Sequence, residues 1–147
     1  MKQMQNQQHT LAKISISCSL QELKVARTFI NEQLHLIHVC DNDINMITLS
    51  VDEVCANLII HAQQNKLEDK IEITLFKEEG GIRVNILDHG ISFNPVNFKD
   101  KSLEVLVKEK KKGGLGLILV NKIMDKIEYQ IEETYNVCSM FKRVTLC

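Results

Sequence analysis

The chain has 147 residues, with 18 Lys plus Arg against 19 Asp plus Glu and a formal net charge of -1. That length fits one domain with a real core, and the balanced charge argues against a nucleic-acid binder, which carries a basic excess. No apolar run approaches the roughly 20 residues of a membrane span, and the polar start MKQMQNQQHT lacks a signal-peptide core. The expectation is a cytoplasmic protein that engages neither membrane nor nucleic acid, with residues 1–9 a frayed tail and residues 10–147 a single domain.

LAKISIS, Leu11 to Ser17, alternates apolar and polar residues and predicts a half-buried strand. Ser19 can cap a helix running to about His38, with Leu20, Leu23, Ala26, Ile30 and Leu34 on one side. CDNDIN then reads as a turn, with Asp43 available to cap a long second helix. On that helix Val51, Val54, Cys55, Leu58, Ile59 and Ala62 form an apolar face, whereas Glu53, Asn57 and His61 recur four apart on a polar one. Lys70 to Gly90 is a hairpin signal, two alternating runs around Gly80 and Gly81, with Ile71, Ile73 and Leu75 sharing a face, as do Ile82, Val84 and Ile86. ISFNPVNFKD reads as a loop and SLEVLVKEKKK as a short helix. GGLGLILVNKIMDKI is a glycine-started amphipathic helix, and IEYQIEE and VCSMFKRVTL are two strands joined at TYN. Grouped strands with few crossover helices predict an α+β fold, a two-layer sandwich of one mostly antiparallel sheet with helices on one face.

The five cysteines, at 18, 40, 55, 138 and 147, include no C-x-x-C pair. Their odd count and wide spacing suggest neither a disulfide framework nor a zinc site, so reduced thiols are expected.

Three constellations carry candidate chemistry. On the Glu53, Asn57, His61 face, a carboxylate can accept a proton and an Asn side-chain oxygen is a hard donor suited to magnesium. At the end of the hairpin's second strand stands Asp88-His89-Gly90. There a carboxylate can accept from an exocyclic amine, and glycine lets a flat ring approach the backbone. In KKKGGLGL, Lys110 to Leu117, glycines before a helix start leave N–H groups free for phosphate oxygens, and the lysines add positive charge. This is neither a Walker loop nor a dinucleotide fingerprint. Each pattern taken singly is common: a solvated helix face, a turn, and a hinge before a core helix would account for them.

Their joint occurrence in this order resembles the GHKL (Bergerat-fold) ATP-binding superfamily of gyrase-type ATPases, histidine-kinase catalytic domains and anti-sigma-factor serine kinases. Its first box resembles Glu53-x-x-x-Asn57 with His61 following, its second Asp88-His89-Gly90, and its third Gly114-Leu115-Gly116. DHGISFNP and GGLGLILVNKIMDKIEY are similar to the anti-sigma-factor serine/threonine kinase versions of those boxes. The frequent second glycine of D-x-G-x-G is Ser92 here, and the lid offers lysines without an arginine.

The resemblance implies ATP and magnesium as cofactors. It assigns Asp88 to the adenine amine, Gly90 to the ring, and Asn57 to magnesium. Gly113, Gly114, Leu115 and Gly116 then fall to the phosphates with Lys111 or Lys112, and His61 either supports the site or has a packed or capping role. Glu53 becomes the catalytic group that orients and deprotonates a partner's serine or threonine hydroxyl. The implied partner is an anti-sigma-factor antagonist, with a sigma factor competing and a homodimer allowed. The rival expectation is a non-catalytic switch, in which ATP sets the shape that sequesters a partner.

Overall fold

A computed structural model describes residues 8–61, 69–89 and 114–147, and the side chains of His61, Gly114 and Leu115 fall outside that description. The first strand, β1 (His9–Ser17), begins two residues before Leu11, inside the stretch that composition assigned to the tail. Its alternation turns Ile14 and Ile16 toward the core, with Ile16 buried. The Ser19 hydroxyl accepts from the Gln21 N–H at 3.4 Å, but the turn it caps is a 3-10 segment, Leu20–Glu22. The helix proper, α1 (Leu23–Leu36), follows and buries Leu23, Ala26, Ile30 and Leu34, while Leu20 stays exposed. The chain leaves α1 through His38, a non-glycine residue at φ 62°.

CDNDIN does not form a turn ahead of the second helix. Helix α2 (Asp41–His61) starts two residues before Asp43, and the Cys40 carbonyl accepts from the Ile44 N–H at 3.1 Å. The acids that read as turn formers occupy the first turn, where negative charge suits the helix dipole. Asp43 does not cap the helix from outside; its Oδ2 accepts from the Thr145 N–H at 2.8 Å.

The hairpin forms as expected from β2 (Lys70–Glu78) and β3 (Gly81–Asp88), with Glu78 opposite Gly81. Gly80 sits at φ 75°, in the left-handed region that a tight turn needs and L side chains rarely adopt. Helix α3 (Gly114–Ile123) and strands β4 (Lys126–Ile131) and β5 (Asn136–Arg143) complete the described elements. The five strands pair antiparallel in the order β1-β2-β3-β5-β4.

The result is the expected α+β sandwich. Ile71, Ile73, Leu75, Ile82, Val84, Ile86 and Met140 point from the sheet into the core, where they meet Ile30, Leu34, Ile44, Ile47, Val51 and Leu117 from the helices. Helix α2 lies between α1 and α3, so its inner face is covered by sheet while its flanks meet both helices. Among the described residues no helix is long and apolar enough to cross a membrane.

The cysteines correct the expectation of five reduced thiols. Cys40 and Cys147 form a disulfide with their Cα atoms 5.0 Å apart, across a sequence separation of 107 residues. The C-terminal residues return antiparallel to His38–Cys40, which closes a distance that spacing alone cannot reveal. Cys18, Cys55 and Cys138 are not disulfide-bonded.

Candidate functional site

Glu53 and Asn57 stand one turn apart on α2, and the structure separates their environments. Asn57 is buried, with 2% of its surface exposed. Its Nδ2 donates to the Glu53 carbonyl at 2.7 Å, which leaves Oδ1 as the remaining acceptor of the amide. Glu53 is half-buried, and its carboxyl pKa is raised, first by desolvation and then by the neighbouring Asp52 charge. Asp52 points elsewhere, taking a 2.6 Å hydrogen bond from the Arg27 guanidinium on α1.

The glycine motif reaches the same place. Gly116 lies in the first turn of α3, and a Cβ built on it would collide with the Glu53 carboxylate, with Oε2 the nearest atom. The missing side chain at 116 leaves the room in which the Glu53 carboxylate lies against α3. The sequence assigned Gly116 to phosphate oxygens; here its empty side receives a carboxylate. The first and third motifs, 63 residues apart in sequence, are thereby in contact.

Asp88 is the last residue of β3 and is 6% exposed. Asn136 stands opposite it at the start of β5, and Asn136 Nδ2 donates to Asp88 Oδ1 at 3.4 Å. Next to it the exposed His89 places Nδ1 2.9 Å from the Thr134 carbonyl, tying the strand end to the β4–β5 turn. Behind Asp88 lie the thiols. Burial pushes the Cys138 pKa up to about 12, and the Asp88 charge adds to it. Cys55 is raised further by burial, then by Cys138, Asp52, Cys18 and Asp88. Half-buried Cys18 is raised by burial, then by Asp69 and Asp88. Burial and the Asp88 charge thus act together to favour the protonated form of all three thiols.

The buried polar side chains among the described residues are Ser50, Asn57, Asp88 and Asn136. Ser50 is satisfied within its own helix, donating to the Met46 carbonyl at 2.9 Å. The other three belong to the candidate site. Asn136 was missed in the sequence because TYN reads as a turn; its signal is the strand register that sets it against Asp88. His61 ends α2, but its side chain lies outside the described residues, as do Gly90, Lys111, Lys112 and Gly113. The loop and short helix expected between Ile91 and Lys112 fall there as well.

Among the described residues no group of three or more His, Cys, Asp or Glu side chains could hold a metal. A single amide oxygen fits a magnesium ion that arrives with phosphate ligands, since magnesium keeps few protein ligands at such sites. An apolar cavity of about 170 Å³, lined by residues including Ile37, Val39, Ile82, Val144 and Leu146, sits at the Gly81 end of β3 and so belongs to a different part of the fold.

The histidine kinase-like ATPase domain family matches residues 16–142. The serine-protein kinase RsbW of Bacillus cereus is 31% identical over 102 residues, covering 65% of this chain and 62% of that protein. The Bacillus thuringiensis protein of the same name is 29% identical over 100 residues with the same coverage. This chain thus spans 62% of the length of those curated relatives. Among solved structures, the RsbU and RsbW domains of a Mycobacterium tuberculosis protein superpose with a TM-score of 0.67 at 14% identity, over 90% of this chain and 32% of that one. The SiaB–SiaC complex of Pseudomonas aeruginosa gives 0.66 at 12% identity, over 90% and 89%. At such identities the likeness is one of fold.

Proposed function

The chain belongs to the histidine kinase-like ATPase family, and from that premise we propose that it is an ATP-dependent serine/threonine protein kinase of the anti-sigma-factor type. The observation that carries this reading is the contact between Glu53 and Gly116. A half-buried carboxyl with a raised pKa is held at the head of a glycine-led helix, one turn from a buried amide. A binding switch needs no proton acceptor at that point; phosphoryl transfer uses one.

In this reading Asp88 accepts a hydrogen bond from the adenine amine, while Asn136 donates to its Oδ1 and orients the carboxylate. Gly90 lies beside the ring. Asn57 offers Oδ1 to magnesium, which supplies charge compensation among the phosphate oxygens when bound. The N–H groups around Gly113, Gly114 and Gly116 face the phosphates at the positive end of the α3 dipole, with Lys111 or Lys112 adding charge. Glu53 orients the partner's hydroxyl and takes its proton as the hydroxyl oxygen bonds to the terminal phosphorus and ADP leaves. The RsbW relatives are named serine-protein kinases, which supports a protein hydroxyl as acceptor. The acceptor we assign is a small single-domain anti-sigma-factor antagonist, with a sigma factor as the competing partner.

The test is incubation with labelled ATP, magnesium and candidate antagonists encoded nearby. Wild type should transfer label to a serine or threonine. Glu53→Gln should bind ATP nearly normally yet transfer roughly 10²–10⁴-fold more slowly, the usual scale of acid–base assistance. Transfer at the wild-type rate by Glu53→Gln removes Glu53 as the base, and no transfer by wild type to any antagonist favours the switch.

A further inference from the structure

The pair Cys40–Cys147 differs in exposure from two of the other three cysteines of the chain. Cys55 and Cys138 are buried, out of reach of a dissolved reagent. Cys40 is half-buried and Cys147 exposed, which places the pair at the surface of the fold. Cys40 also immediately precedes Asp41, the first residue of α2, and its carbonyl accepts the first hydrogen bond of that helix, from Ile44.

The segment joined to it is anchored at Val144, which packs against the core and donates its N–H to the Gly80 carbonyl at 3.2 Å, and beyond that by a short set of contacts. Val39 and Leu146 make an isolated antiparallel bridge. The Cys40 N–H donates to the Thr145 carbonyl at 2.9 Å, and the Cys147 N–H to the His38 carbonyl at 2.8 Å. Thr145 N–H donates to Asp43 in the first turn of α2. Val144 and Leu146 form one wall of the apolar cavity of about 170 Å³ lined also by Ile37, Val39 and Ile82.

We propose that Cys40 and Cys147 form a reversible thiol–disulfide latch, which fastens residues 144–147 to the head of the helix bearing Glu53 and Asn57 when oxidised and releases them when reduced. The inference rests on the placement of the pair and holds whatever the chain's activity. Closure proceeds by exchange with a low-molecular-weight disulfide, RSSR. One cysteine loses its proton to solvent and its thiolate attacks RSSR, giving a protein–SR mixed disulfide and RS⁻. The second thiolate then displaces the other RS⁻, and both leaving thiolates take up protons. The two cysteines are oxidised by two electrons in total, and RSSR is reduced to two RSH.

The full chain is equilibrated in mixtures of reduced and oxidised glutathione, quenched by alkylation, and read by peptide mass mapping and amide hydrogen exchange. The expected result is a Cys40–Cys147 peptide that appears and disappears reversibly under native conditions. Reduction should speed exchange at the Cys40 and Cys147 amides by roughly tenfold or more while the β2–β3 amides keep their protection. The reduced protein should melt roughly 10 °C lower, from the loop-closure entropy returned to the unfolded chain. Cys40→Ser, and separately Cys147→Ala, should show the reduced pattern in both buffers. The latch is overturned if the pair fails to form in oxidised buffer, if it reduces only once the protein is denatured, or if exchange at those amides is the same in both states.

Discussion

Replacing Gly116 by alanine separates the stability of the fold from the geometry of its site. Gly116 has no positive φ, so alanine is compatible with its backbone, and alanine in a helix gains about 1 kcal/mol over glycine. Against this, the new methyl would occupy the space of the Glu53 carboxylate. The atoms displaced are the far end of a flexible side chain, and an off-rotamer turn costs about 0.5–1.5 kcal/mol. The two terms nearly cancel, so Gly116→Ala should melt within a few degrees of wild type. Catalysis does not share that cancellation. Displacing the carboxylate by about 1 Å should slow phosphoryl transfer roughly 10²-fold. Thermal melts, ATP calorimetry and single-turnover transfer to an antagonist read the three quantities separately. In a Glu53→Ala background the collision is gone, and the same glycine substitution should become stabilising by about 1 kcal/mol. Wild-type transfer by Gly116→Ala, or a loss of stability that persists without Glu53, would refute the proposed seating of the carboxylate.

Two further predictions follow from polar contacts. Asn136→Ala removes a donor to Asp88 and should weaken ATP binding by about 0.5–1.5 kcal/mol in calorimetry, with unchanged affinity showing that Asn136 does not serve the base site. His35 places Nδ1 2.7 Å from the Asn31 carbonyl and Nε2 3.0 Å from Asp41 Oδ1, so both ring nitrogens face acceptors and the imidazolium suits them best. Its pKa is raised, first by the Asn31 carbonyl and then by Asp41. Its contribution to stability is full below the ordinary histidine value of about 6.5 and lost as pH rises through the raised folded value. NMR titration should show Asp41→Asn lowering the His35 midpoint; an unmoved midpoint would show that the contact does not hold the proton.

The sandwich was legible because its core is written in two local periods. Ile71, Ile73 and Leu75 on one strand, Ile82, Val84 and Ile86 on the next, and Val51, Val54, Cys55 and Leu58 on α2 fall where alternation or helical spacing places them, while Ala62 lies outside the described residues. Boundaries were harder. The acids of CDNDIN favour both turns and first helical turns, and sequence alone did not choose between them. Relations between distant residues were not legible at all. Nothing at Cys40 announces Cys147, Asn136 becomes a buried partner only through register, and the fit of Gly116 to Glu53 depends on how two helices pack. The motifs could nominate Glu53, Asn57 and Asp88, but not which atoms of each are already engaged by the protein.

The most direct measurement is calorimetric titration of ATP, with magnesium, into wild type and Asp88→Asn, with GTP as control. Asp88 is buried and held by Asn136, so the amide should fold in its place while losing the charge-assisted bond to the adenine amine. The account predicts saturable ATP binding by wild type, weakened by roughly 1–3 kcal/mol in Asp88→Asn, and poor GTP binding because guanine carries a carbonyl at that position. Equal ATP affinity in the two proteins, or no ATP binding by wild type, would contradict it.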